Sequence, residues 1–348
     1  MRIWIDMANS PHPLLFAPLE RLLTERGAEV VITYRDHAQT AELTTERWPD
    51  AELVGVASPD GRGAKAGSLL GRAWALRRWA ASTRPDVALS HNSYAQLLAA
   101  RVGRIPAVTA MDFEHQPANH LAFRAARRIL VPEALPTAEL RRQGASPRKL
   151  VRYAGFKEEL YLGDFEPDRS VASRLGIERG PSTVIVVARS APAGAAYHRE
   201  ENPMFIEAVR TLDDQPEVRQ VVLARHPEQR SELQGLRLER TVVPDRAIDS
   251  RSLLAEADLF LGAGGTMTRE AALLGVPTFS MFAGRPAAVD DWLIERGKLS
   301  RLESPAQLTG LEPRERGPDQ LAKLRRRGAE IAELFADEVA ALAPGAAN

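Results

Sequence analysis
The stretch LGAGGTMTREAALLGVP, residues 261–277, gathers three glycines into four positions and runs them into Thr-Met-Thr-Arg-Glu. Gly262, Gly264 and Gly265 follow an apolar run, ADLFLG, and precede a helix-forming run that closes on Gly275 and Pro277. On a strand-to-helix turn, the unpaired N–H groups of the first helical turn and the helix dipole favour an anion. Glycines let the backbone approach a diphosphate with no Cβ in the way. Thr266 and Met267 open that helix, and Glu270, inside its first turns, is placed to accept hydrogen bonds from ribose hydroxyls. The same residues also read as a tight turn in which Glu270 only compensates the dipole. The pattern is neither GxGxxG nor a Walker loop, because no Gly-Lys-Ser/Thr follows.

Other groups with chemical potential also follow apolar runs. ARSAPAGAAYHREEN (188–202) places Arg189 at the end of one run, with His198 and Arg199 beyond a Gly/Ala/Pro segment. These cations suit a diphosphate or a departing nucleotide; the alternative is a solvated loop with ordinary charges. In ARHPEQR (224–230), Arg225 and His226 fit a structural role better. DMANSPHP (6–13) sets Asn9, Ser10 and His12 at the entry to a helix. His12 is a candidate base for an acceptor hydroxyl, since an unperturbed imidazole titrates near pH ~6.5; alternatively, it and Asn9 cap the helix. MDFEHQPANH (111–120) carries Asp112, Glu114 and His115, three ionisable groups in four residues. A divalent cation is conceivable there, but no metal and no cofactor is expected.

Alternating elements must position these residues. Short apolar runs at 2–6, 28–35, 51–56, 86–90, 106–111 and 128–132 read as strands, and 13–27, 66–83 and 93–103 as helices between them. The rhythm breaks over 155–181 and restarts with strands at 183–188, 219–224, 240–244, 257–262 and 277–282. Residues 317–343 form one long amphipathic helix. The fold class is therefore α/β: two doubly wound, Rossmann-like parallel-sheet domains, 1–160 and 161–316, with a C-terminal helix and tail over 317–348. Such halves are expected to hold a ligand between them, outside the carboxyl ends of the strands. Every candidate above lies there.

Composition excludes other classes. The 348 residues carry 46 Lys+Arg against 46 Asp+Glu, so no basic excess points to nucleic acid or an anionic membrane. Without cysteine there is no disulfide, thiolate metal site or Cys nucleophile. No run has the length of a membrane span or a signal-peptide core, so a cytoplasmic location is expected, with peripheral contact at the inner membrane face as an option. That option rests on 61–84, where Leu69, Leu70, Trp74, Leu76 and Trp79 mix with Arg72, Arg77, Arg78 and Arg84. The preferred reading of this stretch is a core-packing helix with an Arg-rich solvent face.

Gly-Gly-Thr-Met-x-Arg-Glu-Ala-x-x-x-Gly-x-Pro resembles the nucleotide-diphosphate segment of GT-B proteins, among them the peptidoglycan GlcNAc transferase (MurG-like) and the UDP-GlcNAc 2-epimerases. More closely, IDMANSPHPLLFAPL, TYRD, GFKEELYL, AYHREEN and GAGGTMTREAALLGVPTFS resemble the DUF354 family over nearly the whole chain. By that resemblance, Gly264, Gly265, Thr266 and Met267 lie against a diphosphate, Glu270 holds the ribose, and the base sits near Val243–Arg246. The resemblance implies a nucleotide-sugar-binding enzyme, a GT-B glycosyltransferase using a UDP-sugar as substrate in cell-surface polysaccharide or glycoconjugate synthesis. Its acceptor would be a glycan or a lipid-linked molecule. His12, Asp112 or Glu114 would be the base, with Asn9 and Ser10 in the acceptor region, and Arg189, His198 and Arg199 on the nucleotide. HREEN also resembles the epimerases, so a UDP-N-acetylhexosamine 2-epimerase, hydrolysing or not, is the alternative. Against it, the His-Gly-Asp of those enzymes reads His91-Asn92-Ser93 here, and Asn119 lacks its flanking Glu and Arg. A non-catalytic nucleotide-sugar-binding protein is the third possibility.

Overall fold
The computed structural model describes the chain except residues 38, 57–61, 191–202, 247, 264, 283, 318 and 345–348. It divides into two compact units. The first comprises Met1–Asp164, Ala287–Val289 and Leu324–Asn348; the second comprises Phe165–Pro286 and Asp290–Lys323.

In the first unit, runs such as RIWIDM are apolar on both faces, which suits a sheet covered by helices on each side. Seven strands form it: β1 (Arg2–Met7), β2 (Glu29–Asp36), β3 (Glu52–Val56), β4 (Val87–His91), β5 (Ala107–Ala110), β6 (Arg128–Pro132) and β7 (Leu150–Tyr153). All pair in parallel, in the order β3-β2-β1-β4-β5-β6-β7. Winding reverses between β1 and β4, the kind of place at which sheets of this class bind ligands. β7 and the short helices Thr40–Arg47, Asn119–Ala125 and Thr137–Arg142 were not anticipated from the sequence.

The helix Arg62–Thr83 packs Ala73, Leu76 and Ala80 into the core, and Trp79 meets the ring of Trp4 at 5.2 Å. Arg72 does not lie on the solvent face assigned to it above. It is buried and donates Nη1 and Nη2 to the two oxygens of Asp6, at 2.9 and 2.8 Å. Asp6 also accepts from the hydroxyls of Thr33 (2.6 Å) and Ser93. Burial pushes this carboxyl's pKa up, but the Arg72 charge and the hydrogen bonds from Arg72, Ser93 and Thr33 outweigh it, holding Asp6 below its usual range. Leu70 and Trp74 of the same helix stay exposed.

The end of the chain completes this unit. Within the helix Asp319–Ala340, Phe335 packs edge-on against Tyr153 at 5.2 Å, and Asp337 and Glu338 pair with Arg26 (2.8 Å) and Arg128 (2.9 Å). Gly328 lies against the Glu159 carbonyl and Gly163 against that of Leu324, both approaches too close for a Cβ.

The second unit has six strands: β8 (Val184–Arg189), β9 (Val218–Leu223), β10 (Thr241–Val242), β11 (Leu259–Gly262), β12 (Thr278–Ser280) and β13 (Ser300–Arg301). They too are parallel, in the order β10-β9-β8-β11-β12-β13, with the reversal between β8 and β11. Val186, Ala188, Leu212, Val222, Leu259 and Leu261 lie in its core. Among the described residues, no helix is long and apolar enough to cross a membrane.

Candidate functional site
Each unit gathers its candidate residues at its own reversal of winding. In the second unit, Arg189 and Gly262 end β8 and β11 and stand opposite each other in register. The helix Thr266–Leu273 begins directly beyond, with Gly265 as its cap at φ 91° and ψ −168°, a conformation only glycine adopts readily. Gly265 has no side chain with which to cap this helix, so the cap residue leaves the first-turn N–H groups without a side-chain partner. A Cβ on Gly265 would meet nothing within 4 Å, leaving space in front of the turn. Gly262 serves another purpose: its Cβ would strike the Phe260 ring and crowd Thr268 Oγ1. Thr266 and Met267 are half-buried on the first turn, and Glu270 is buried one turn in.

Burial and the neighbouring Arg225 charge lower the Arg189 pKa to about 10, with Glu270 acting the other way. Arg189, Arg225 and Glu270 are thus close enough to interact. Arg225, assigned a structural role from sequence, brings a second guanidinium to this end of the sheet, its Nε donating to the Ser190 carbonyl at 3.1 Å. Val243 and Asp245 are both held by Gln234 Nε2, and Asp249 caps the following helix through Arg251 N and Ser252 N. Gly264, His198 and Arg199 lie outside the described residues.

In the first unit, the loops after β1, β4 and β5 bring His12, His91 and Asp112 together. The rings of His12 and His91 stand 5.6 Å apart, nearly perpendicular. His91 Nε2 lies 3.1 Å from Asp112 Oδ1, although no hydrogen bond forms in this geometry. Asp112 Oδ2 accepts from Lys157 Nζ, and the same ammonium donates to Glu158 Oε1 at 2.7 Å. Asp112, Lys157 and Glu158 are all buried. A cation flanked by two carboxylates at such depth offsets part of the cost of removing all three charges from water.

His12 is 2% exposed, and its Nδ1 accepts the Ala8 N–H at 3.0 Å. Burial, reinforced by His91, lowers its pKa to about 3. The ring is therefore neutral at physiological pH, and one nitrogen is already engaged. It fits an orienting hydrogen-bond partner better than a base that must retain a proton near neutrality. Neither His12 nor Asn9 caps the helix with its side chain: Pro11 is the cap residue, and Asn9 Oδ1 accepts from Arg35 Nη2 at 3.3 Å. Ser10 is half-buried in the same turn. Glu114 is buried, with Oε1 accepting the Ala288 N–H at 2.8 Å and lying 3.4 Å from His115 Nε2, while Oε2 has no partner. Asn119 braces the loop instead, donating Nδ2 to the Phe113 carbonyl and to Gln143 Oε1. Among the described residues, no group of three or more His, Asp or Glu is arranged to hold a metal ion.

Paired doubly wound sheets of this kind occur in known proteins. The family described as protein of unknown function (DUF354) matches residues 1–307. The chain belongs to the DUF354 family. An uncharacterised protein of Methanocaldococcus jannaschii is 28% identical to this DUF354 protein over 314 residues, covering 85% of this chain and 86% of the relative. Among solved structures, the glycotransferase of kitacinnamycin superposes with a TM-score of 0.68 at 18% identity, covering 99% of both chains. The UDP-GlcNAc 2-epimerase of M. jannaschii superposes with a TM-score of 0.70 at 14% identity, covering 96% of this chain and 99% of that one. A structure of the latter enzyme contains UDP-GlcNAc and UDP. At these identities the likeness establishes the fold: the DUF354 protein is a GT-B protein of two parallel-sheet domains with a C-terminal helix.

Lys157 and Glu158 of this DUF354 protein were missed by the site reading above, although GFKEELYL was part of the family resemblance. The available signal was a lysine beside two glutamates directly after a strand-like run. All three of these ionisable groups, Lys157, Glu158 and Glu159, are buried in the short helix region that follows β7.

Proposed function
We propose that this protein binds a nucleoside-diphosphate sugar in its second unit, a UDP-sugar by family resemblance, and acts as a glycosyltransferase. The observation that carries the reading is the coincidence at the β8/β11 reversal. There, a glycine-only turn, an uncapped helix N-terminus, two guanidiniums and a buried carboxylate share one end of the sheet. The first-turn N–H groups and Arg189 would hold the diphosphate and stabilise the charge that develops as it departs. Glu270 would accept from the ribose hydroxyls. In transfer, an acceptor oxygen bonds to the anomeric carbon as the bond to the diphosphate breaks, and the acceptor's proton passes to a base. Asp112 and Glu114 are the carboxylates for that step, with His12 orienting and Lys157 holding Asp112 in place.

One observation favours a second reading, epimerisation at C2. Glu158 adds a buried carboxylate beside Asp112, restoring acid/base capacity that the sequence comparison had found depleted. The two readings part in D2O with UDP-GlcNAc and no acceptor: deuterium entering C2 supports epimerisation, whereas UDP release that depends on an added acceptor supports transfer. Both stand on nucleotide binding, tested by thermal shift. UDP and UDP-GlcNAc at millimolar levels should raise the unfolding temperature of the wild type, and Glu270→Ala and Arg225→Ala should reduce that rise. No response to any nucleotide or nucleotide sugar would overturn the proposal.

A further inference from the structure
At the end of the sheet opposite Asp112, the chain builds a second concavity. It has a volume of about 370 Å³ and lies where β5 and β6 begin, walled by Arg101, Arg104, Arg124, Arg127 and Lys149 over a floor of Ile105 and Pro106. That volume falls within the range of small-ligand sites, roughly 300–1,000 Å³. Among the described residues, no carboxylate lines it.

Five cations at this place have an ordinary explanation to exclude first, because helices Tyr94–Gly103 and Asn119–Ala125 both end here and helix C-termini attract positive charge. Two of the five are used that way. Arg124 Nη1 donates to the carbonyls of His120 (2.6 Å) and Gln143 (3.3 Å), and Lys149 Nζ donates to those of Phe123 (3.1 Å) and Arg124 (3.3 Å). At the end of the first helix two carbonyls are met by backbone: Ala100 accepts from Ile105 N and Arg101 from Arg104 N. Among the described residues, the side chains of Arg101, Arg104 and Arg127 make no hydrogen bond to either helix end. All three are exposed, and they take part in no ion pair among the described residues. Arg104 adopts φ 59°, where glycine is the easier residue. The Lys149 pKa is lowered by burial and by the charges of Arg101 and Arg127, so these like charges repel one another across the cavity. A polyanion would relieve that repulsion, and guanidiniums present paired donors suited to phosphate oxygens.

We propose that this cavity is a binding site for a phosphate-bearing ligand, separate from the nucleotide site and at the opposite end of β5 from Asp112. Arg101, Arg104 and Arg127 supply the charge, while Arg124 and Lys149 form a rigid rim. The recognised chemistry is a multiply charged phosphate group, free or on a lipid headgroup.

The test uses the full chain at low salt. Tripolyphosphate is titrated calorimetrically, and vesicles of phosphatidylcholine with or without phosphatidate are sedimented with the protein. The double reversal Arg101→Glu/Arg127→Glu is compared with Arg169→Glu/Arg237→Glu, an equal charge change at exposed arginines of the second unit. The cavity variant should lose affinity by about tenfold or more, and the control should stay near wild type. Binding of tripolyphosphate in the second unit would survive the cavity reversal, so only the component lost in that variant counts. A loss confined to tripolyphosphate identifies a free phosphate compound, and one confined to phosphatidate vesicles identifies a headgroup. Equal losses in both variants, or no wild-type binding to either probe, overturn the proposal. Arg101→Gln/Arg127→Gln should give the same ordering if the reversed variant unfolds.

Discussion
Acid should weaken this protein through one imidazole. His12 has a folded pKa of about 3 against an unfolded value of 6.5, so the unfolded state binds the proton that the folded state refuses. Its contribution to stability is complete above pH ~6.5 and is lost progressively as pH falls towards ~3. Integrated over that window, the loss is about 5 kcal/mol; by pH ~5, where the unfolded imidazole is almost fully charged, it is about 2 kcal/mol. The ring is almost completely buried, so solvent screening takes little from this figure. His12→Asn removes the titration while its Oδ1 can still accept the Ala8 N–H, and any packing loss it causes is independent of pH. Urea unfolding of wild type and variant, each at pH ~7.5 and ~5, isolates the effect as a difference of differences. His37, also shifted down, titrates in both proteins and cancels, while Asp168 is shifted down from 3.8 and matters only at lower pH. The wild type should lose about 2 kcal/mol more than the variant across the interval. Equal losses would show that His12 is protonated in the folded state, and its neutral, orienting role would fall with that result.

Other perturbations separate packing from ligand chemistry. Arg72→Met leaves Asp6 charged and unpaired in the core, which should cost about 3–5 kcal/mol in denaturant unfolding; a smaller cost would mean that water reaches Asp6. Gly265→Ala forces a Cβ into a glycine-only conformation at about 1–3 kcal/mol, and a thermal-shift series should show a weaker UDP response as well. Gly163→Val places side-chain atoms against the Leu324 carbonyl and should cost about 1–3 kcal/mol, with the UDP response of the second unit unchanged. Lys157→Met should lower turnover far more than UDP affinity, since the lysine holds Asp112 and belongs to the first unit; equal losses in both would contradict that assignment.

Residues whose meaning is local were legible. The glycine turn at 262–265 stands between a strand and a helix that both announce themselves by pattern, and Glu270 sits one turn further on. Arg189 was legible for the same reason, as the residue that ends β8. Residues whose meaning comes from distant partners were not. Arg72 reads as a solvent arginine on an amphipathic helix, because Asp6 lies 66 positions away and nothing local marks the pair. Lys157 reads as one charge in a mixed segment, yet the chain recrosses after β7, at the sheet edge, and delivers it to the loop after β5. Arg225 was read as structural, and its place beside Arg189 depends on Arg189 ending the adjacent strand. His12 was read as a base with an unperturbed pKa; the burial beside His91 that lowers that pKa is a tertiary fact.

The first unit is assembled from segments at both ends of the chain, and this imposes a timetable on its synthesis. Its sheet is complete once Tyr153 has emerged, but Phe335, Val339 and the ion pairs to Arg26 and Arg128 are supplied by a helix made only after the whole second unit. At about 5–20 residues per second, the stretch from Asp164 to Ala340 takes roughly 9–35 s to translate. Throughout that interval Tyr153 lacks its Phe335 neighbour, while the whole second unit is made. Synthesis of this late helix is therefore what closes the first unit. A premature stop anywhere after the second unit would spare every candidate residue and still leave the protein unfinished at its beginning.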